Sequence, residues 1–278
     1  MSASKASLTV SIVVYGLDPD LLKKTLQSLF ASIRRAQQAG LIGGSTVDLI
    51  DNGLNGTLSE LARDERRRLS DSAIKLTLRS GHGNVGYGRG HNLSILGSQS
   101  NFHLVLNPDV VLEETAIGEA VSHLMAHPAT ALVTPEVRGP GGERQYLCKD
   151  YPSLIVLYLR SFAPRWLRAR SADKMAAYEM RHVIDRGEVA SVPVATGCFM
   201  VARTADLKRI EGFSPAFFLY FEDYDLSLRI REIGDVVYVP SVRIVHYGGD
   251  ASSKGLKHIR MFARSAFTFF RRHGWRFW

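Results

Sequence analysis

Cysteine is scarce in this chain: Cys148 and Cys198 are the only 2 among 278 residues, and they form no motif. That excludes a disulfide framework and fits a reducing compartment. Long apolar runs are absent as well. Crossing a bilayer takes roughly 20 apolar residues, and the best candidate, Ser153–Leu159, falls well short. The opening residues, MSASKASLTVSIVVYG, carry one lysine and no cleavage-site pattern, so they read as a strand rather than a signal peptide. Acidic residues are missing from 254–278, which hold seven Lys or Arg, and from 160–170, which hold Arg160, Arg165, Arg168 and Arg170. There is no internal repeat and no linker. Composition excludes disorder and collagen-like structure: 45% of residues are hydrophobic and 22% charged. A chain of this length buries a core without disulfides or structural metal. The expectation is a soluble, cytoplasmic protein.

The formal net charge is +8, from 35 Lys plus Arg against 27 Asp plus Glu. Such an excess points to an anionic partner: nucleic acid, a phosphorylated ligand or an acidic membrane surface. A nucleic-acid or anionic-surface binding protein using the basic tail is therefore one functional reading. No RNA- or DNA-recognition signature is present, so nucleic acid is not expected as a partner.

Apolar patterning supplies the architecture. Leu8–Tyr15 is β-branched and apolar throughout, as a strand covered on both faces would be. Asp18-Pro-Asp opens a helix with Leu21, Leu22, Thr25, Leu26, Leu29 and Ile33 at helical spacing. After a turn at Gly40–Gly44 come strand Val47–Ile50, helix Leu58–Leu69, strand Ile74–Leu78, a glycine-rich loop, a short helix at His91–Leu96, strand Phe102–Leu106 and helix Ala116–Ala126. This alternation predicts a mostly parallel sheet flanked by helices. Ligands in such sheets bind beyond the carboxyl ends of the strands. Three loops should meet there: Asp51-Asn-Gly, the glycine-rich stretch and Asn107-Pro-Asp109. The second half is less regular, and residues 143–190 resist assignment. Val192–Arg203 reads as a strand broken at Thr196-Gly197-Cys198, Glu222–Ile233 as a helix stopped by Gly234, Val236–Val239 and Val242–Val245 as two short strands, and Lys257–Arg272 as a basic amphipathic helix. The expected organisation is one catalytic domain over 1–250, with halves near 1–115 and 116–250, and a helical extension over 251–278.

Several motifs carry chemistry. Gly81-His-Gly83-Asn-Val-Gly86 fits the dinucleotide pattern G-x-G-x-x-G, with Asp109 downstream as a ribose acid, and raises the alternative of a dinucleotide-binding oxidoreductase. Against it, the motif follows the third strand rather than the first, and Gly88 and Gly90 would weaken the helix that should receive the pyrophosphate. The asparagines Asn84 and Asn92 set polar side chains beside bare backbone NH groups, which suits a phosphate or sugar. Taken alone, Asp51 and Asp109 read as turn residues. The segment Phe217-Phe-Leu-Tyr-Phe-Glu222-Asp223-Tyr-Asp225 crowds three carboxylates together. One would suffice as a helix cap, and three repel unless a metal, an arginine or a substrate offsets them. His246 ends a strand and, with Asp109, offers imidazole and carboxylate to a divalent metal.

These pieces, in this order, resemble the family 2 glycosyltransferases of the GT-A fold, and among them the bacterial rhamnosyltransferases that build O-antigen and related polysaccharides. The resemblance rests on Asp51 at a strand end, on Asn84-Val-Gly-Tyr-Gly-Arg-Gly-His-Asn92, on Leu106-Asn-Pro-Asp109, on Gly197-Cys-Phe-Met200, on Tyr220-Phe-Glu-Asp-Tyr-Asp-Leu-Ser-Leu-Arg229 and on His246–Gly249. It runs from Leu8 to about Gly249. The chain departs from the family's pattern at Tyr15-Gly16, at Gly212-Phe-Ser-Pro215 and in a metal loop with one carboxylate. The resemblance implies an inverting, metal-dependent enzyme with a Rossmann-like sheet and a nucleoside-diphosphate sugar donor, dTDP- or UDP-linked, dTDP-L-rhamnose foremost. The acceptor it implies is a saccharide or lipid-linked saccharide. Donor contacts are implied for Asp51, Asn84, Gly86, Gly88, Arg89, Asn92, Asn107 and Gly197. Asp109 and His246 would hold Mg2+ or Mn2+. Asp223 would be the base, with Glu222 and Asp225 orienting.

The basic tail interleaves Lys254, Lys257, Arg260, Arg264, Arg271, Arg272 and Arg276 with aromatic residues. Up to about Phe270 its aromatic side should pack on the domain. Trp275, Phe277 and Trp278 suit an anionic membrane surface, with residues 160–170 as a second contact and the protein peripheral on the inner face of the cytoplasmic membrane.

Overall fold

The computed structural model describes residues 5–16, 18–53, 58–70, 72–161, 163–248 and 255–278, except the side chains of Ser161, Leu256 and Lys257. Gly249 and Lys254, both named above, lie outside the described residues. The chain begins β1 (Ala6–Val14), α1 (Pro19–Gln38), β2 (Ile42–Asp51), α2 (Leu58–Arg68), β3 (Ile74–Arg79), α3 (Tyr87–Ile95), β4 (Phe102–Leu106), β5 (Val110–Leu112), α4 (Ala116–Ala126) and β6 (Thr130–Arg138). It continues with β7 (Arg144–Gln145), α5 (Leu154–Ser161), α6 (Arg165–Arg170), α7 (Ala172–Tyr178), α8 (Arg181–Ile184), β8 (Ala190–Ser191), β9 (Phe199–Arg203), α9 (Thr204–Arg209), α10 (Glu222–Ile230), β10 (Asp235–His246) and α11 (Leu256–His273).

The strands form one mixed sheet in the order β3-β2-β1-β4-β9-β6-β10-β5, with β7 beside β6 and β8 beside β10. The β1–β2, β2–β3 and β1–β4 pairs are parallel, as the βαβ alternation requires. β9 runs antiparallel to both β4 and β6. β1 is buried from Leu8 onward because helices cover both faces of the sheet. α1 starts where the Asp18 carboxylate accepts from the Asp20 NH at 2.9 Å, with Pro19 in its first turn. Its Leu22, Leu26, Leu29, Phe30 and Ile33 are buried on one stripe, each contributing about 1.5–3 kcal/mol of apolar transfer.

The structure corrects the sequence reading at several points. β2 begins at Ile42 and takes in Gly43 and Gly44. The two short strands expected near the end are one, β10, whose register shifts between Val239 and Arg243, where Pro240 cannot donate to the ladder. α3 begins at Tyr87 and incorporates Gly88 and Gly90, because neighbours press close there: a Cβ on Gly88 would lie 2.7 Å from the Phe213 Cβ, and one on Gly90 2.8 Å from a Val13 methyl. Residues 143–190 fold into pieces of two to eight residues, too short to print a helical period. They are pinned by the Lys149–Val194 backbone pair (2.9 and 3.1 Å) and by Asp150 N to Tyr178 O (2.8 Å).

Candidate active site

The loops after β1, β2 and β4, the start of α3 and the start of α10 meet at the carboxyl ends of the parallel strands. Asp51 closes β2, is buried, and folds back so that its carboxylate accepts the Gly53 NH at 2.9 Å. Asn52 bridges outward: its amide donates to the Gly86 carbonyl at 3.0 Å, and its oxygen lies 3.1 Å from His82 Nε2. Gly81, Gly83 and Gly86 have φ of +86°, +66° and +89°, which side-chain-bearing residues rarely adopt. The Asn84 side chain accepts from Gly86 N at 3.0 Å and fixes the turn.

The N-terminus of α3 is already spoken for. Tyr87 N donates to the Phe218 carbonyl at 3.1 Å, and a Cβ on Gly86 would sit 2.4 Å from that oxygen. A pyrophosphate cannot take that NH, and β3 is an edge strand; both facts oppose the dinucleotide reading. Three expected donor contacts also have other work. Gly88 packs on Phe213. Asn92 both donates to the Phe213 carbonyl (2.7 Å) and accepts from its NH (2.8 Å). Arg89 donates to the Pro215 carbonyl at 2.5 and 3.2 Å. Together they clamp α3 to the loop that leads into the aromatic run.

Tyr87, which the sequence reading passed over, is the centre of the site. Its hydroxyl shares one proton between the Gly197 carbonyl (2.5 Å) and the Asn107 side-chain oxygen (3.0 Å). Gly197 N in turn donates to Asp223 Oδ2 at 3.1 Å. A Cβ on Gly197 would lie 2.9 Å from the Tyr87 oxygen, so glycine is required there. Burial, then the charges of Asp223, Glu222 and Asp109, hold the Tyr87 phenol well above its ordinary pKa and keep it a donor. One phenol thus joins the glycine-rich helix, the Asn107-Pro-Asp109 loop and the carboxylate cluster.

The carboxylates stand on a strained turn. Tyr220 and Phe221 have φ of +71° and +65°, and α10 starts immediately after them. Backbone of this kind costs about 1–3 kcal/mol per residue and clusters at functional sites. Glu222 is buried and its Oε2 has no hydrogen-bond partner. Burial, then the neighbouring Asp223, pushes its carboxyl up to about 8. Asp223 is also raised by burial, against the opposing hydrogen bonds from the Gly197 and Tyr224 NH groups. Asp223 is therefore the better placed of the two to carry negative charge at neutral pH.

Asp225 does not join them. Its fully buried carboxylate meets Arg229 (2.7 Å), His273 (2.9 Å) and Arg272 (3.3 Å), the last two on α11. Burial works to raise this carboxyl, but His273 and Arg229 outweigh it and hold it below the ordinary range. Its expected place among the catalytic residues is corrected to a structural one: it fastens α10 to α11.

Asp109, one of the charges acting on Tyr87, faces His246, Oδ1 to Nε2 at 3.5 Å. Asp109 Oδ1 is buried without a hydrogen-bond partner. His246 Nδ1 lies 3.2 Å from the Gln145 Oε1, and donating there would leave the Nε2 lone pair free. A Cβ on Gly248 would fall 2.3 Å from Asp109 Oδ2 and 3.0 Å from His246 Nε2, so the space before the pair stays open. An orphan carboxylate oxygen and an oriented imidazole fit a divalent cation. Among the described residues no third His, Cys, Asp or Glu joins them.

The chain as a whole is similar to known proteins. No protein-family model matches the chain. Over 211 residues, 69% of this chain and 66% of the relative, it is 28% identical to an N-acetylglucosaminyl-diphospho-decaprenol L-rhamnosyltransferase of Mycobacterium tuberculosis. Over 204 residues, 67% of this chain and 71% of the relative, it is 26% identical to the rhamnosyltransferase WbbL of Escherichia coli. The chain thus spans about two thirds of the length of the curated relatives it matches. Among solved structures, GalNAc-T7 with UDP, GalNAc and Mn2+ superposes with a TM-score of 0.64 at 15% identity, over 89% of this chain and 44% of that one. The mannosyltransferase PcManGT of Pyrobaculum calidifontis, in complex with GDP-Man and Mn2+, gives 0.58 at 14%, over 98% and 77%. In structure the chain has the GT-A fold, and in sequence it is rhamnosyltransferase-like, similar to the family 2 glycosyltransferases.

Proposed function

We propose that this chain is an inverting, metal-dependent glycosyltransferase that moves a sugar from a nucleoside diphosphate to a hydroxyl of a saccharide or lipid-linked saccharide in cell-surface polysaccharide synthesis. L-rhamnose is the sugar its relatives' names favour, and dTDP-L-rhamnose is the donor taken foremost. The observation that carries the reading is the gathering, around Tyr87, of a cation-fitting Asp109–His246 pair with the buried Glu222 and half-buried Asp223 carboxylates.

In this reading Asp51 contacts the nucleotide base, and Asn84, Gly86, Asn107 and Gly197 line the donor's path. Mg2+ or Mn2+ held by Asp109 and His246 would supply positive charge to the leaving diphosphate. Asp223 takes the proton from the acceptor hydroxyl as that oxygen attacks the anomeric carbon. The bond from that carbon to the diphosphate oxygen breaks on the opposite face, and the nucleoside diphosphate leaves with the electron pair. A single displacement inverts the anomeric configuration. Glu222, protonated at neutral pH, holds its place without adding a second charge beside Asp223. Its relatives' names suggest a lipid-diphosphate saccharide acceptor, which would place the work at the inner face of a membrane. Among the described residues no helix is long and apolar enough to cross one.

The test is release of nucleoside diphosphate from a panel of dTDP-, UDP- and GDP-sugars, with and without Mn2+ or Mg2+, in the presence of short saccharide acceptors. Metal-dependent release from one donor supports the reading. No release from any donor under any of these conditions refutes it.

A further inference from the structure

The segment 255–278 shows two different faces. The inner face of α11 is core: Phe269 and Phe270 are buried, Phe262 packs on Tyr220 and Phe221, and Ser265 donates to the Leu219 carbonyl at 2.8 Å. The outer face does none of this. Arg260, Arg264, Phe267 and Arg271 are all exposed and fall on one stripe at helical spacing. Trp275 extends the stripe, with its ring 5.9 Å from Phe267 and 6.5 Å from Phe277.

The residues after α11 do not hang free. The Arg276 carbonyl accepts from Leu154 N at 2.9 Å and the Phe277 carbonyl from Ile155 N at 3.3 Å, so the segment caps the start of α5. Tyr151 donates to the Gly274 carbonyl at 2.7 Å, and the Arg276 guanidinium lies 4.1 Å from the Tyr151 ring centre. Lys174 of α7 reaches to 5.7 Å from the Trp278 ring centre. This backbone is fixed, yet it presents Phe267, Trp275, Phe277 and Trp278 at 56, 46, 61 and 84% exposure. Trp275 stacks on the buried Phe270, ring centres 5.4 Å apart, but core packing gives the exposed Phe267, Phe277 and Trp278 no role.

We propose that the outer stripe of α11 together with Trp275–Trp278 is a docking surface for an anionic phospholipid bilayer. Charge decides the partner. Residues 254–278 contain no acid, and α5 to α7 contain one, Asp173, against Arg160, Arg165, Arg168, Arg170 and Lys174. Exposed tryptophan and phenylalanine alternating with arginine match the boundary between headgroups and acyl chains. α6 packs with α5 and α7, the two helices that this segment contacts, and none of its residues is buried. α11 is also the helix to which Asp225 fastens α10, so a docked bilayer lies one helix away from Glu222 and Asp223. The purpose of the contact, delivery to a lipid-held acceptor, rests on the glycosyl-transfer reading; the contact itself does not.

The experiment is co-sedimentation of the full chain with two kinds of vesicle, phosphatidylcholine alone and phosphatidylcholine mixed equally with phosphatidylglycerol, at low and high salt. Binding should favour the mixed vesicles and weaken with salt. Each basic residue at such a surface is worth a factor of about five at low salt, so Arg264→Gln combined with Arg271→Gln should weaken binding about 25-fold. Phe277→Ser combined with Trp278→Ser, which keeps the backbone bonds to α5, should weaken it roughly tenfold or more. Circular dichroism confirms folding, and donor turnover with a soluble acceptor should match the parent in all variants. Absence of parent binding to mixed vesicles at low salt overturns the proposal, as does variant binding equal to the parent's. So does concentration-dependent self-association that these substitutions abolish while no vesicle binding is seen. Vesicle binding without any donor turnover would uphold this surface and count against the glycosyl-transfer reading.

Discussion

Replacing Tyr87 by Phe isolates one oxygen atom at the centre of the site. The ring contacts survive: the Tyr87 ring stands edge-on to His91 at 4.5 Å and to Phe213 at 6.0 Å, and neither contact needs the hydroxyl. Two acceptors lose their partner, the Gly197 carbonyl at 2.5 Å and the Asn107 oxygen at 3.0 Å. An unsatisfied buried acceptor costs about 1–3 kcal/mol. A net loss of about 2 kcal/mol is expected, or roughly 3–4 °C in Tm for a chain of 278 residues. The larger effect should fall on turnover. Gly197 also donates to Asp223, so releasing its carbonyl loosens the group that orients the base. Misplacement of a reacting group by about an ångström costs on the order of a hundredfold, and a fall in kcat of ~10–10²-fold with KM for donor nearly unchanged is expected. Nucleoside diphosphate release under saturating donor and acceptor measures the first quantity, and thermal unfolding the second. Turnover within twofold of the parent, in a protein destabilised as stated, would show that the phenol is a structural tie only and refute its positioning role.

Asp223→Asn keeps an oxygen for the Gly197 NH but removes the base, and should lower turnover by ~10²–10⁴ with donor binding little changed; calorimetric titration with donor separates the two. Asp109→Ala should abolish the metal dependence of donor binding, so donor affinity that is unaltered and indifferent to chelator would refute the metal role. Glu222 makes a pH prediction. Its folded pKa of about 8 lies above the ordinary 4.5, so its contribution to stability is complete below about 4.5 and is lost as pH rises through about 8. Without metal, the parent's Tm should fall across that window and Glu222→Gln, which mimics the protonated acid, should flatten the fall. Gly88→Ala sets a Cβ 2.7 Å from the Phe213 side chain and should cost about 1–3 kcal/mol by overpacking, read as a lowered denaturation midpoint.

The sequence by itself determined the parallel half of the sheet and the motif-bearing loops around it. β1, α1, β3, β4 and α4 print their periods plainly, because continuous β-branched runs and a one-sided apolar helix have few other ways to bury themselves. Asp51, the glycine-rich stretch, Asn107-Pro-Asp109 and Glu222-Asp223 were visible as chemistry for the same reason: crowded carboxylates and strings of glycine are costly unless something uses them. Residues 143–190 were not legible, since helices of four to eight residues are shorter than the window a period needs, and their placement depends on backbone bonds to distant strands.

Only the tertiary structure decided roles within the motifs. Three carboxylates in one short segment look alike in sequence; α11 neutralises Asp225 with Arg272 and His273 and leaves Glu222 and Asp223 facing Tyr87. Gly88 and Asn92 read in sequence as donor contacts, and only the structure shows that both also meet Phe213. Tyr87 looks like a spacer between glycines until the chain brings Gly197 to its hydroxyl from 110 residues away. Long-range contact assigns these functions because hydrogen bonding and ion pairing act over a few ångströms in space, and nothing in local sequence records which distant group will arrive.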